Sequence, residues 1–240
     1  MDFSKRLRED ELMDDDQLSI NDLKDTYTDL DRVNSMLGGN QGVFEAIEKL
    51  VIENPKEDYS IMDIGCGNGE MLRKVCTIFR KRGLKVQLTG IDLNEKAIVL
   101  AKEASTEYPE IEYKVVDIIK HENTSLQADI VISTLTMHHI AAAQIPDFLK
   151  KLTEIGQIGI IINDLQRSRV AYYLFRLFSL IFIRTKIAKN DGLISIRSGF
   201  LKKELTQYSK GVSGFDHSIR SRWAFRYVWV MRAIRPTIYE

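Results

Sequence analysis

MDIGCGNGE, Met62–Glu70, sets three alternating glycines directly after an apolar run and just ahead of a helical pattern, with Asp63 two places before the first glycine. A chain leaving a buried strand for a helix must turn sharply. Gly65 and Gly67 can take backbone angles closed to other residues and let a ligand touch the main chain. The helix start offers unpaired N–H groups. Dinucleotide folds hold a pyrophosphate at such a loop, with the spacing G-x-G-x-x-G. Here the third glycine, Gly69, comes one residue early and Glu70 occupies the expected place. Asp63 and Glu70 would repel a pyrophosphate and suit a cationic ligand end. The next strand-like run, KVQLTGIDL, closes on Ile91-Asp92-Leu93. An acid at that point can accept from both hydroxyls of a ribose. The pattern therefore asks for a nucleoside with a positively charged tail and no phosphate.

Working outward, the chain alternates strands and helices. SIMDIG, KVQLTGIDL, IEYKVVDI, ADIVISTL and IGIIIND read as strands. Helices are expected over 43–52, 70–81, 95–107 and through IPDFLKKLTEIG. Such alternation predicts an α/β, Rossmann-like, mostly parallel sheet covered on both faces. HSIRSRW and FRYVWVMR, joined tightly at Ala224, predict an antiparallel C-terminal hairpin at the sheet edge, making seven strands. Before the core, Ser19 can cap a helix carrying Leu23, Tyr27, Leu30, Val33 and Leu37, ended by Gly38-Gly39. The expected organisation is an N-terminal helical cap over 1–42, a nucleoside-binding core over 43–164, a helical lid insertion over 165–198, and a C-terminal helix and hairpin over 199–240 that complete the core.

The full match to D-x-G-x-G-x-G at Asp63, Gly65, Gly67 and Gly69, with Asp92, Asp117 and the ADIVIS strand, resembles the class I S-adenosylmethionine-dependent methyltransferases. The resemblance covers about Ile47 to Ile162 and is strongest to small-molecule methyltransferases related to quinone-biosynthesis enzymes. It implies S-adenosylmethionine as cofactor. It implies that Gly65, Cys66 and Gly67 line the methionine and sugar, and that Asp63 anchors the loop and reaches the methionine ammonium through water. Asp92 would hold the ribose, with Leu93 against the adenine. Asp117 would accept from the adenine amino group and the Ile118 N–H would donate to the ring. Ser133 and Thr134 would sit under the sulfonium. An acid that ends a strand, as Asp117 does, also serves as a turn former.

Methyl transfer needs alignment, exclusion of water and an electron-rich nucleophile. His138 and His139, in TMHHI past the fourth strand, stand at the open end of the sheet and are the candidate catalytic residues. A histidine that takes the acceptor's proton near neutral pH predicts a rate that falls at acid pH. The alternative is that they cap or pack the following helix. As adjacent residues without a second Cys or His cluster, they do not make a metal site. His121 and His217 read as structural or exposed. RSRVAYYLFRLFSLIFIRTK puts Tyr172, Phe175, Phe178 and Phe182 on one helical face. That face reads as a lid over an aromatic acceptor, with plain packing, a homodimer face or weak membrane-surface association as alternatives. Arg32, Asn34, Gly38 and Gly39 are the N-terminal residues expected to touch ligand. The main reading is methylation of a small aromatic or polyketide-like acceptor at oxygen. The alternatives are C-methylation beside a phenol and a cofactor-binding regulator without chemistry.

Of 240 residues, 44% are apolar and the formal net charge is zero, so whole-molecule attraction to nucleic acid is not expected. The charge is unevenly spread: residues 1–31 hold 11 acids and 4 bases, and residues 165–240 hold 15 bases and 4 acids. Cys66 and Cys76 do not read as a disulfide framework, and no apolar signal core opens the chain, so a cytoplasmic setting is expected.

Overall fold

The computed structural model describes residues 1–120 and 126–234. Helices α1 (Ile20–Met36) and α2 (Gln41–Glu53) precede β1 (Asp58–Ile64), α3 (Glu70–Arg82), β2 (Lys85–Asp92), α4 (Glu95–Ala104), β3 (Ile111–Val115) and β4 (Ala128–Thr134). Then follow α5 (Ile145–Ile155), β5 (Gly156–Leu165), α6 (Arg169–Phe182), α7 (Lys186–Ser198), α8 (Lys202–Ser209), β6 (Phe215–Arg222) and β7 (Arg226–Ala233). The described strands form one sheet in the order β3-β2-β1-β4-β5-β7-β6, in which β7 is reversed and pairs antiparallel with both β5 and β6. This is the expected seven-stranded α/β architecture with its antiparallel hairpin; β7 lies inside the sheet and β6 forms the edge.

The period-2 alternation of strand side chains splits the core into two layers. Ile61, Ile130, Ile132, Ile161, Val228 and Val230 pack under α2, α3 and α4. Met62, Val131, Ile160, Ile162 and Trp229 point the other way, toward α5 and α8. Trp229, Phe148 and Phe200 are fully buried, and each such side chain contributes about 1.5–3 kcal/mol by leaving water. The Ser19 side chain caps α1 by accepting from Asp22 N–H. Helix α4 stops at Ala104, three residues before expectation, where the chain turns through Ser105 toward Pro109.

The stretch read as a lid divides into two helices. Thr185 accepts from the Ala188 N–H and starts α7. Asp29 of α1 fixes this break, its Oδ2 accepting from the Arg184 and Thr185 N–H groups at 2.9 and 2.7 Å. Asp191 of α7 accepts from the Leu12 and Met13 N–H groups at 3.0 and 2.9 Å. Arg167, buried, donates to the Phe3 and Gly199 carbonyls and to Glu204. These contacts lay the N-terminal segment along α7 and bring Glu11 to the sheet's open end. His121 lies outside the described residues. His217, on β6, contacts the Val212 carbonyl and accepts from the Trp229 indole N–H, a structural placement.

Candidate active site

Strands β1 and β4 are neighbours whose following connections run to opposite sides of the sheet, so a crevice opens beyond their C-terminal ends. A groove of about 1020 Å³ occupies it. The glycine loop forms its floor. Gly65 and Gly67 have φ of 76° and 52°. A Cβ on Gly65 would lie 2.2 Å from the Thr136 hydroxyl, and one on Gly67 would lie 2.9 Å from the Tyr27 ring. Both positions therefore demand glycine, for the backbone angle and for the space.

Asp92 ties this loop to β2, its Oδ2 accepting from Gly67 N–H at 2.8 Å and its Oδ1 from Asn94 N–H at 2.9 Å. Burial raises its pKa, against the pull of those two amides. Asp63 is buried, its Oδ1 has no described partner, and burial plus the charge of Asp92 push its carboxyl up to about 8. A cationic ligand would relieve both acids. The residues thus fit S-adenosylmethionine: an unpaired buried acid, an acid at the end of β2, and a loop stripped of side chains.

Of the other expected cofactor residues, Cys66, Leu93, Asp117, Ile118 and Thr134 line the groove. The Asp117 carboxylate, however, accepts from the Ile119 and Lys120 N–H groups, the turn-forming use of such an acid. Ser133 departs from expectation. It is fully buried and its hydroxyl donates to the Ile64 carbonyl, because its place on β4 turns it between strands and away from the groove. Of the N-terminal residues expected at the ligand, Asn34 lines the groove, whereas Arg32, Gly38 and Gly39 are not among the lining residues. Arg32 faces Asp29, and Gly39 packs against Arg226.

The two histidines differ. His138 is buried, with Nδ1 2.7 Å from Asp164 Oδ1 and Nε2 3.5 Å from Glu11 Oε1. Burial opposes charge on this ring, but Asp164 and Glu11 outweigh it and push its pKa up to about 10. His138 is therefore an imidazolium at neutral pH, at odds with a free imidazole base that titrates near 6.5. Glu11 goes the other way: burial raises its pKa, but the two histidines and the Ser195 hydroxyl hold it below the usual carboxylate range. His139 is exposed, with Nδ1 3.1 Å from Asp14 Oδ2 and Nε2 3.9 Å from Glu11 Oε2. Glu11, His138 and His139 bring donor atoms within 4.8 Å of one another. The protonated His138 places a positive charge beside the Glu11 carboxylate.

Sequence reasoning missed Glu11, Tyr27, Asp31 and Arg226. Tyr27 lies over Gly67, and Asp31 accepts from the Asn68 side chain at 2.7 Å while burial raises its pKa to about 6. Buried Arg226 lines the groove, donating to Asn34 Oδ1 at 2.6 Å while its Nη1 has no described partner. A signal existed for Tyr27 and Asp31, which are four apart on α1 and so share a face. None was local for Glu11.

Residues 61–157 match the family model described as Methyltransferase domain. A putative methyltransferase of Invertebrate iridescent virus 6 is 33% identical over 85 residues, which are 35% of this chain and 29% of that protein. The indolepyruvate C-methyltransferase of Streptomyces griseus is 32% identical over 96 residues, 38% of this chain and 27% of that one. The chain thus spans less than half the length of these curated relatives. Among solved structures, the plantazolicin methyltransferase BpumL, in complex with a desmethyl plantazolicin analogue and S-adenosylhomocysteine, superposes with a TM-score of 0.61 at 17% identity, covering 88% of this chain and 95% of that one. The fold is that of the class I S-adenosylmethionine-dependent methyltransferases.

Proposed function

We propose that the chain transfers the methyl group of S-adenosylmethionine to an oxygen of a small, apolar, aromatic acceptor. One observation carries the reading: Glu11 and His138 line the groove that holds the glycine loop, and buried Asp164 backs His138. When bound, S-adenosylmethionine supplies an activated methyl group on a sulfonium. Gly65, Cys66 and Gly67 would line its methionine and sugar, Asp63 would balance its cationic end, and Asp92 would take its ribose hydroxyls. Leu93, Asp117, Ile118 and Thr134 would border the rest.

The chain's further work is to align the acceptor and take its proton. Alignment alone is worth about 7–11 kcal/mol in well-oriented systems. Glu11 lies inside the groove as a carboxylate, and His138, held by Asp164, places a compensating charge beside it. A hydroxyl becomes far more acidic as its oxygen bonds to the incoming carbon. A carboxylate of low pKa can therefore accept that proton. His139 would border the acceptor at the exposed side. The aromatic inner face of α6, through Phe175 and Phe178, lines the groove and would cover a greasy ring as a lid.

The test is transfer of radiolabelled methyl from S-adenosylmethionine to a panel of phenols with apolar substituents. Label in an ether product supports the reading. S-adenosylhomocysteine binding without transfer to any phenol overturns the acceptor class and leaves the cofactor assignment standing.

A further inference from the structure

Helix α6, RVAYYLFRLFSLIF, is apolar around nearly its whole girth. Its inner face packs: Ala171, Tyr172 and Ser179 are buried, and Phe175 and Phe178 are partly so. Its outer face meets no partner among the described residues. Val170, Tyr173, Leu174, Leu177, Leu180 and Ile181 are between 51% and 72% exposed. At 3.6 residues per turn these six fall within an arc of about 120°, a continuous stripe on one 14-residue helix. Arg169 and Arg176, both exposed, follow along one edge of the stripe. Arg184 and Lys186 are exposed just past the helix end. No described carboxylate forms an ion pair with Arg176, Arg184 or Lys186. Trp223, on the β6–β7 turn, is 71% exposed and lines the mouth of the groove together with Leu174, Leu177 and Ile181.

We infer that this face docks on the surface of an anionic lipid bilayer, with α6 lying in the interfacial plane. No helix of the described residues is long and apolar enough to cross a membrane. A helix with an apolar stripe edged by arginines instead lies at the headgroup boundary, its strength set by buried apolar area and attraction to anionic lipid. Tryptophan favours the same boundary. Charge complementarity selects this occupant: Arg169, Arg176, Arg184 and Lys186 stand exposed beside the stripe, and no described carboxylate forms an ion pair with the last three. Leu174, Leu177, Ile181 and Trp223 are exposed on this face and also line the groove, which would let an apolar acceptor pass from the bilayer to the site without crossing water.

The test uses the full chain and extruded vesicles of phosphatidylcholine alone, or with about a quarter phosphatidylglycerol, in a flotation assay at low and high salt. The expected result is co-flotation with the anionic vesicles that weakens in high salt. Emission should shift to the blue from Trp223, because the only other tryptophan, Trp229, is already fully buried. Tyr173 and Leu180 point outward and do not line the groove. The double variant Tyr173→Ser/Leu180→Ser should lose vesicle affinity at least tenfold while keeping the thermal shift with S-adenosylhomocysteine. Arg169→Gln/Arg176→Gln should lose the preference for anionic vesicles. The inference is overturned if the wild type does not float, or if the Tyr173/Leu180 variant floats as well as wild type. It is also overturned if the wild type dimerises through this face, as read by its mass in solution, and leaves vesicles unbound. None of these readouts needs turnover, so failure here is separable from failure of the methyl-transfer reading.

Discussion

The Nδ1 of His138 lies 2.7 Å from Oδ1 of Asp164, and both side chains are buried. The same carboxylate accepts from the His138 backbone N–H through Oδ2 at 3.0 Å, so residue and ring are both pinned to β5. Breaking a buried pair by removing one partner costs about 3–5 kcal/mol, because the other charge is left behind. Asp164→Ala is expected to lower the unfolding free energy by that order, read by urea titration. The pH dependence has a definite sign. The folded His138 pKa is raised to about 10 from 6.5. Its contribution is therefore fully present below pH 6.5 and is lost as pH rises toward 10. Stability of the wild type should decline across that window, and His138→Gln should flatten the decline.

Glu11 carries the second expectation. Glu11→Gln keeps the shape and removes the proton-accepting charge. Turnover should fall by about 10²–10⁴-fold, while S-adenosylhomocysteine binding changes little, since the contacts of Glu11 are with His138, His139 and Ser195. Because Glu11 is held below its usual 4.5, the acid limb of the wild-type profile should lie below that value and not near 6.5. A limb near 6.5 that disappears in His139→Ala would hand the base role to His139.

Asp92 is expected to bind the cofactor's ribose. Asp92→Ala should cost about 1.5–3 kcal/mol of affinity for S-adenosylhomocysteine, as for hydrogen bonds to a charged group. It also removes the acceptor for Gly67 and Asn94 N–H, so the loop itself loosens. Calorimetry on a variant with native circular dichroism decides it; an unchanged dissociation constant would move the ribose contact elsewhere.

What the sequence made legible follows chain proximity. The turn at Gly65 and Gly67, the acid at Asp92 and the split of strand residues between two core layers are local, each set by neighbours within a few positions. Ser133 was misplaced although local information existed: in β4 every residue but the last is buried, and a hydroxyl there bonds the adjacent strand. Glu11 was out of reach. It stands 127 positions before His138 in the chain and arrives only because Asp191 holds the Leu12 and Met13 amides. The proton on His138 was hidden for the same reason, since Asp164 lies 26 positions after it and Glu11 127 positions before it. The cap at Thr185, which divides the helical insertion into α6 and α7, was readable, but the aromatic run before it drew the attention.

Asp63 offers a last test, one that separates cofactor recognition from folding. Its carboxyl is buried, its Oδ1 is unpaired among the described residues, and its pKa is pushed to about 8 from 3.8. A raised carboxyl pKa means that the folded chain holds a proton the unfolded chain has released. Stability without ligand should therefore fall as pH rises from about 4 to 8 and level off above. That window opens lower than the one set by His138, so the two variants dissect the curve: Asp63→Asn should remove the fall below pH 6.5 and leave the fall above 8. A cationic ligand end placed near Asp63 favours the ionised form. Binding of S-adenosylmethionine at pH 7 should then release a proton. Calorimetry in two buffers of different ionisation enthalpy would read that release as a difference in apparent heat. Asp63→Asn should abolish the difference and weaken binding. Equal heats for the wild type in both buffers would mean that Asp63 keeps its proton, anchors the loop as a neutral acid, and leaves the ammonium to another partner.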